Sequence, residues 1–243
     1  MRRILSIVVA LSFLLTAYAR GTVTISISGS GSTSNASPSS GQAFTLTASG
    51  GTVGFTVYAD SSTDIGRITL TGSGTVSLLI GSSGSFPSNQ TTPFSSFLSR
   101  DWGGLALSSF SGSVRVAGAV GRDLTGSVTA TQVYRLQIAH DAADVITATG
   151  VDVSSTDFAM GPVLVGRSIS STGGVAATAT PGMGQALTVL DVRTGTTTSG
   201  SSDMAGTIST DHGTILSIVA NDDLRVPFPV LCWATVVRRA RMR

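Results

Sequence analysis

Apolar residues fall at every second position in short runs, broken by polar and glycine-rich stretches. Between Thr22 and Thr63 the runs are Val23-x-Ile25-x-Ile27, Phe44-x-Leu46 and Phe55-x-Val57, separated by Ser/Gly/Asn/Pro-rich turns such as residues 29–41. Alternation of this kind turns one side of a strand to a core and the other to water. Residues 20–63 are therefore expected to form a small antiparallel β module, or a β cap over one end of the strands beyond residue 63. A stack of strands that ended bare would expose its core and unpaired backbone groups, which gives a cap its physical motive.

From Asp64 the pattern changes to an apolar-x-apolar triplet followed by a glycine or small residue: Ile68-Thr69-Leu70, Leu105-Ala106-Leu107, Val114-Arg115-Val116, Leu136-Gln137-Ile138, Val163-Leu164-Val165 and Leu187-Thr188-Val189. A second motif alternates with it, at residues 126–131, 144–149, 174–180 and 206–210. The steps from Val114 to Leu136, Val163 and Leu187 are 22, 27 and 24 residues. That spacing suits a solenoid whose coils stack strand on strand and tolerate loops of unequal length. In such a stack Val114, Leu136, Val163 and Leu187 should share one inward column. The corners should fall at Gly112, Gly118, Gly121, Gly126, Gly150, Gly166, Gly173 and Gly174, where positive φ is available.

The stretch Ser113-Val-Arg-Val-Ala-Gly-Ala-Val-Gly-Arg-Asp-Leu-Thr-Gly-Ser-Val-Thr-Ala resembles the degenerate repeats of secreted bacterial right-handed parallel β-helix proteins. The resemblance covers residues 64–226 and implies a fold, an all-β right-handed parallel β-helix or β-solenoid, without implying a substrate. An antiparallel β-sandwich, which also gives short strands and polar turns, is the competing architecture.

Composition supports strands over helices. The chain has no Lys and no Glu, its charged residues amount to 12%, and Val, Ile, Thr, Ser and 29 Gly dominate. Six of the 15 Arg lie at the two ends, at Arg2, Arg3, Arg238, Arg239, Arg241 and Arg243; the remaining nine face 13 Asp, a balance of −4. With no basic face in the body, nucleic acid is not an expected partner. Cys232 is the single cysteine, so no disulfide within the chain can hold it together.

The ends read as export signals. Residues 1–19 join a basic start, an apolar stretch from Ile4 to Leu15 and the small-residue ending Ala17-Tyr18-Ala19, the three parts of a secretory signal peptide, with cleavage expected after Ala19. The apolar stretch is shorter than the ~20 residues of a membrane span, so no stable span is expected after cleavage. Val226 leads into residues 227–243, where Pro227-Phe-Pro, an apolar run and an Arg cluster complete a pattern that resembles the sorting tails of exported bacterial proteins. Phe228 stands where those tails carry Glu, and the apolar run is short. A last strand with a basic end, or a shift of reading frame, accounts for the same residues. A secreted or cell-surface protein is expected, with extracellular polysaccharide or protein as its partner.

Candidate chemistry is sparse. The groupings are His140-Asp141 with Asp144, Asp211-His212-Gly213, and Asn221-Asp222-Asp223. Asp211-His212-Gly213 resembles the Gly-His-Gly of polygalacturonases but departs at its first residue, and the Arg-x-Lys of that family cannot exist without Lys. His212, Asp211, Asp222 and Asp223 are the weak candidates for a carbohydrate-active site, which requires carboxylates converging in one groove. Turn roles for Asp, Asn and His weigh against it. Asp222-Asp223 lacks the spaced carboxylates of a calcium loop, and no metal or cofactor is expected. Cys232 has no evident His partner and reads as a buried small hydrophobe. Trp102 is expected to plug the core at the first regular coil rather than stack on a sugar. The leading expectation is a non-enzymatic structural or surface-interaction protein; a carbohydrate-active β-helix enzyme and a carbohydrate-binding protein are the alternatives.

Overall fold

The alternating runs become strands, and no helix forms among the described residues. The computed structural model describes residues 21–89, 94, 96–150, 158–178, 185–192, 205–211, 214–220 and 234–238, with 185–192, 211, 214–220 and 234–238 given by their backbone alone. β1 (Thr24–Ser28) and β2 (Gly31–Thr33) run antiparallel on β3 (Phe44–Tyr58). Every other pairing between the described strands is parallel, which gives one open, mostly parallel sheet.

β3 pairs with β4 (Ile68–Ile80), and β4 with β5 (Leu105–Val120), over most of their lengths. At β5 the sheet forks. Its first half leads to β6 (Val128–Ala130), β8 (Val145–Ala148), β11 (Gly174–Thr178) and β13 (Thr207–Asp211). Its second half leads to β7 (Gln132–Ile138), to β9 (Phe158–Met160) and β10 (Val163–Val165), and then to β12 (Gln185–Val192), β14 (Thr214–Ala220) and β15 (Ala234–Arg238). From β6 to β14 the two branches alternate along the chain, with β9 and β10 together on the second, as the two sequence motifs do. β15 takes up the end of the apolar run in the 227–243 tail.

Each turn of chain returns to three stations. On the first branch Phe44, Ile68, Leu105, Val128, Ile146, Val175 and Ile208 fall in one register row, all buried. On the second, Val57, Ile80, Gly118, Leu136, Val163, Leu190, Ile218 and Val236 share another register row, of which Val57, Ile80, Gly118, Leu136 and Val163 are buried. Isolated parallel bridges join Ile65, Trp102, Leu124, Ala142 and Ile169, whose side chains are buried. The buried members of all three rows belong to a single core, because branched aliphatic side chains repeating at the ~4.8 Å strand spacing pack on one another from turn to turn.

The column expected of Val114, Leu136, Val163 and Leu187 does not form. Leu136 and Val163 are direct partners, but Gly118 and Leu190 complete their row. Val114 pairs with Val76, and Leu187 with Met160 and Ile215. Two features shift the count. β5 is long enough to pass through two stations, so its apolar triplets belong to different rows, and a bulge at Tyr134 takes the register from Val116↔Val133 to Ala117↔Arg135. Gly118 is likewise no corner: it lies within β5, where an added Cβ would come 3.1 Å from the Ile80 Cβ and 3.3 Å from the Leu136 Cδ1.

The first long strands bend between their two stations at glycines. Gly72 has φ +94°, and a Cβ there would lie 2.0 Å from the Ala48 carbonyl oxygen, so the turn needs both the left-handed backbone and the close approach. One turn later a side chain does this work. Buried Thr131 sits between β6 and β7, its Oγ1 accepting from the Val114 N–H at 2.7 Å and donating to the Val114 carbonyl at 2.9 Å.

Candidate functional site

The bridge station carries the densest polar chemistry among the described residues. Directly before its buried row stand Asp64, Asp101, Asp123, Asp141 and Ser168, and before those Thr63, Arg100, Arg122, His140 and Arg167. Each carboxylate reaches to the next turn. Asp64 accepts from the Asp101 N–H at 3.3 Å, Asp101 from Asp123 at 3.1 Å, Asp123 from Asp141 at 3.1 Å, and Asp141 from Ser168 at 3.1 Å. Ser168, where the aspartate row ends, also donates its hydroxyl to Asp141 at 2.6 Å.

The cations close the pattern from the following turn. Arg100 grips both Asp64 oxygens, at 2.9 and 3.3 Å. Arg122 bonds Asp101 Oδ2 at 3.1 Å through Nη2 and Asp123 Oδ2 at 3.1 Å through Nε, and Arg167 reaches Asp141 at 3.0 Å. The Asp101 carboxylate holds the Arg122 guanidinium above its ordinary pKa, opposed by desolvation and helped by Asp123. His140 occupies the same place on its turn, with Nδ1 3.9 Å from Asp123 Oδ1. The result is a ladder of charge-assisted bonds between turns, with its carboxylates already engaged by donors within the chain.

Of the sequence candidates, His140 and Asp141 are rungs of this ladder. Asp144 accepts from the neighbouring Val145 N–H at 2.7 Å. Asp211 ends β13 opposite Thr178, a row that corresponds to Thr149 one strand earlier, eight residues along the chain from Asp141. Asp141 and Asp211 thus occupy different stations. His212, Gly213, Asn221, Asp222, Asp223 and Cys232 lie outside the described residues. Trp102 is fully buried in the bridge row. Sequence reading missed Asp64, Asp101 and Asp123, although the signal was present: Arg100-Asp101-Trp102, Arg122-Asp123-Leu124 and His140-Asp141-Ala142 repeat a triplet of Arg or His, then Asp, then an apolar residue.

A second cluster covers the outer side of the second branch. The Tyr134 bulge turns its ring outward, where Phe86 and Phe158 pack tilted against it at 5.5 and 6.0 Å between centroids. Arg115 lies 4.7 Å over the Tyr134 ring and 5.4 Å over Phe86, and its Nε bonds Gln132 Oε1 at 2.8 Å. Tyr134 donates its hydroxyl to the Ser88 carbonyl at 3.0 Å, tying the segment after β4 onto the sheet. Burial lowers the pKa of nearby Arg135. Beside this cluster runs a groove of about 490 Å³, lined by β1, β3 and β4 and by Gly84–Phe86, with hydroxyls of Ser26, Ser28, Thr56 and Ser77 and no charged residue.

Among the described residues no three His, Cys or acidic side chains are grouped to hold a metal ion, and no helix is long and apolar enough to cross a membrane. No protein-family model matches the chain, and no curated protein or solved structure is similar to it.

Proposed function

We propose that the chain is an exported right-handed parallel β-helix that serves as a structural or surface-interaction protein, secreted or held at the cell surface. One observation carries the architecture: the same three stations recur in register from turn to turn, two as strand ladders and one as bridges. Parallel strands joined by crossovers of one hand, almost always the right, wind a chain in this way. The ion ladder supports a structural role, since its carboxylates bond the next turn. Outward positions on the first branch carry hydroxyls, among them Thr45, Thr47, Thr69, Thr71, Thr129 and Thr147, a surface suited to extracellular polysaccharide or protein.

The reading has two tests. Expression of the full chain in a bacterium should deliver it outside the cytoplasm with Arg20 as its first residue by mass spectrometry; a chain that keeps residues 1–19 in the cytoplasm removes export. A screen against soluble and insoluble polysaccharides should show no new reducing ends. Release of sugar fragments would replace this reading with a carbohydrate-active β-helix enzyme, and Asp211, His212, Asp222 and Asp223 would be the residues to substitute first.

A further inference from the structure

Among the described residues, Ile27 is the one large apolar side chain left exposed, at 37%, and it lies on β1. β1 bonds to β3 along one edge, and no described strand bonds to the other. Edge strands normally carry a charge, a proline or a bulge, because free N–H and C=O groups accept any incoming strand. Thr24-Ile25-Ser26-Ile27-Ser28 has no charge and no proline, and its register with β3 runs without a bulge.

The five residues also read nearly alike in both directions about Ser26. If a second β1 lies antiparallel across a two-fold axis at Ser26, Ile25 of one copy faces Ile27 of the other, Thr24 faces Ser28, and Ser26 faces itself. Ile25 and Ile27 share the inward side of the strand. Ile25 packs against the main core, and Ile27 pairs with buried Phe55. The pairing would bring four isoleucines together and carry the core from one molecule into the next, covering a side chain that β1 alone leaves in water.

We infer that the outer edge of β1 is the docking surface for a second copy of this chain, forming a two-fold dimer through an antiparallel β1–β1 seam. This inference goes beyond the functional proposal and rests on it only in that residues 1–19 are removed. It is tested on the purified full chain, its N-terminus read by mass spectrometry, so that a retained leader is distinguished from a bare edge. Sedimentation should give a dimer, and Ile27→Lys should weaken it at least tenfold while the far-UV circular dichroism stays unchanged. In a Cys232→Ser background, Ser26→Cys should cross-link to a covalent dimer under mild oxidation. Thr24→Cys alone and Ser28→Cys alone should not, and a mixture of the two should. A monomer at every concentration with the leader absent overturns the proposal. Cross-linking by Thr24→Cys alone, or open-ended filaments in place of a dimer, overturns it equally. If Ile27→Lys fails to fold, the cysteine pattern decides.

Discussion

An aspartate carboxylate reaches one strand spacing from its own backbone, which lets the side chain of one turn accept the N–H of the next. Asp101 is the most enclosed of the row, and it holds both the Asp123 N–H and the Arg122 guanidinium. Asp101→Ala should cost about 1–3 kcal/mol in a urea titration, because a partly buried N–H and a cation lose their acceptor. Asp101→Asn, which keeps one carbonyl oxygen for the N–H, should cost less; equal loss for both would show that the hydrogen bond is not what matters. Asp60 gives a pH signature. Side-chain bonds from Ser62 and Thr63, then the Ser62 N–H, hold its pKa below the ordinary carboxylate value. Its stabilising effect is complete above that ordinary value and is lost as the pH falls through the lowered one. Wild type and Asp60→Asn should therefore differ near neutrality and converge in acid, and a gap of constant size across the titration would exclude this account. The triplet that builds the ladder was visible in the sequence at 100–102 and 122–124. Its meaning was not, because a run of Asp and Arg next to turns is read as solvated until the stacking places each one against the following turn.

At the scale of elements, the backbone does what side chains cannot. Gly50 and Gly72 both have positive φ, but an added Cβ at Gly50 meets nothing within 4 Å while one at Gly72 meets the Ala48 carbonyl oxygen at 2.0 Å. Gly50→Ala should cost about 1–2 kcal/mol for the left-handed conformation alone. Gly72→Ala should cost clearly more, because two strands must part; thermal melts of the pair separate strain from crowding. Strand existence was readable from alternation, and the second motif located β6, β8, β11 and β13 correctly. Register was less legible, since the triplets of β5 look alike whether they belong to the first branch or the second, and nothing about Tyr134 announces a bulge. The outward pull on Tyr134 comes from Phe86, 48 positions earlier in the chain, and from Arg115 beneath it. Contacts of that range leave no periodic trace.

For the whole molecule, turns should behave as interchangeable units. Leu124 and Ala142 occupy equivalent places on successive turns, as do Val128 and Ile146, and both pairs are 18 residues apart. Deleting residues 124–141 joins Asp123 to Ala142 and returns every later strand to a register partner. The shortened chain should still fold cooperatively, with the strand signature of the parent in circular dichroism. Removing nine residues, half of that stretch, should abolish folding, because it throws core positions to the outside. If both deletions fold equally well, turn-on-turn stacking is not what organises the chain. The parallel arrangement itself was legible from the repeat period, and in residues 20–63 an antiparallel module was one of two readings; β1 and β2 do run antiparallel on β3. Those short runs fit a cap and a separate module alike.

The bonds of the corner ladder also have a direction. Asp64, Asp101 and Asp123 each stand ready before the turn they will hold has been added, and the newcomer brings the N–H and the arginine or histidine that engage them. Each newcomer also brings the carbonyl for an N–H left open by the turn before, as Asp123 does for Trp102 and Asp141 for Leu124. A polypeptide delivered N-terminus first can therefore lock each strand as it arrives, like a zip drawn from one end, and synthesis and folding need not be separated in time.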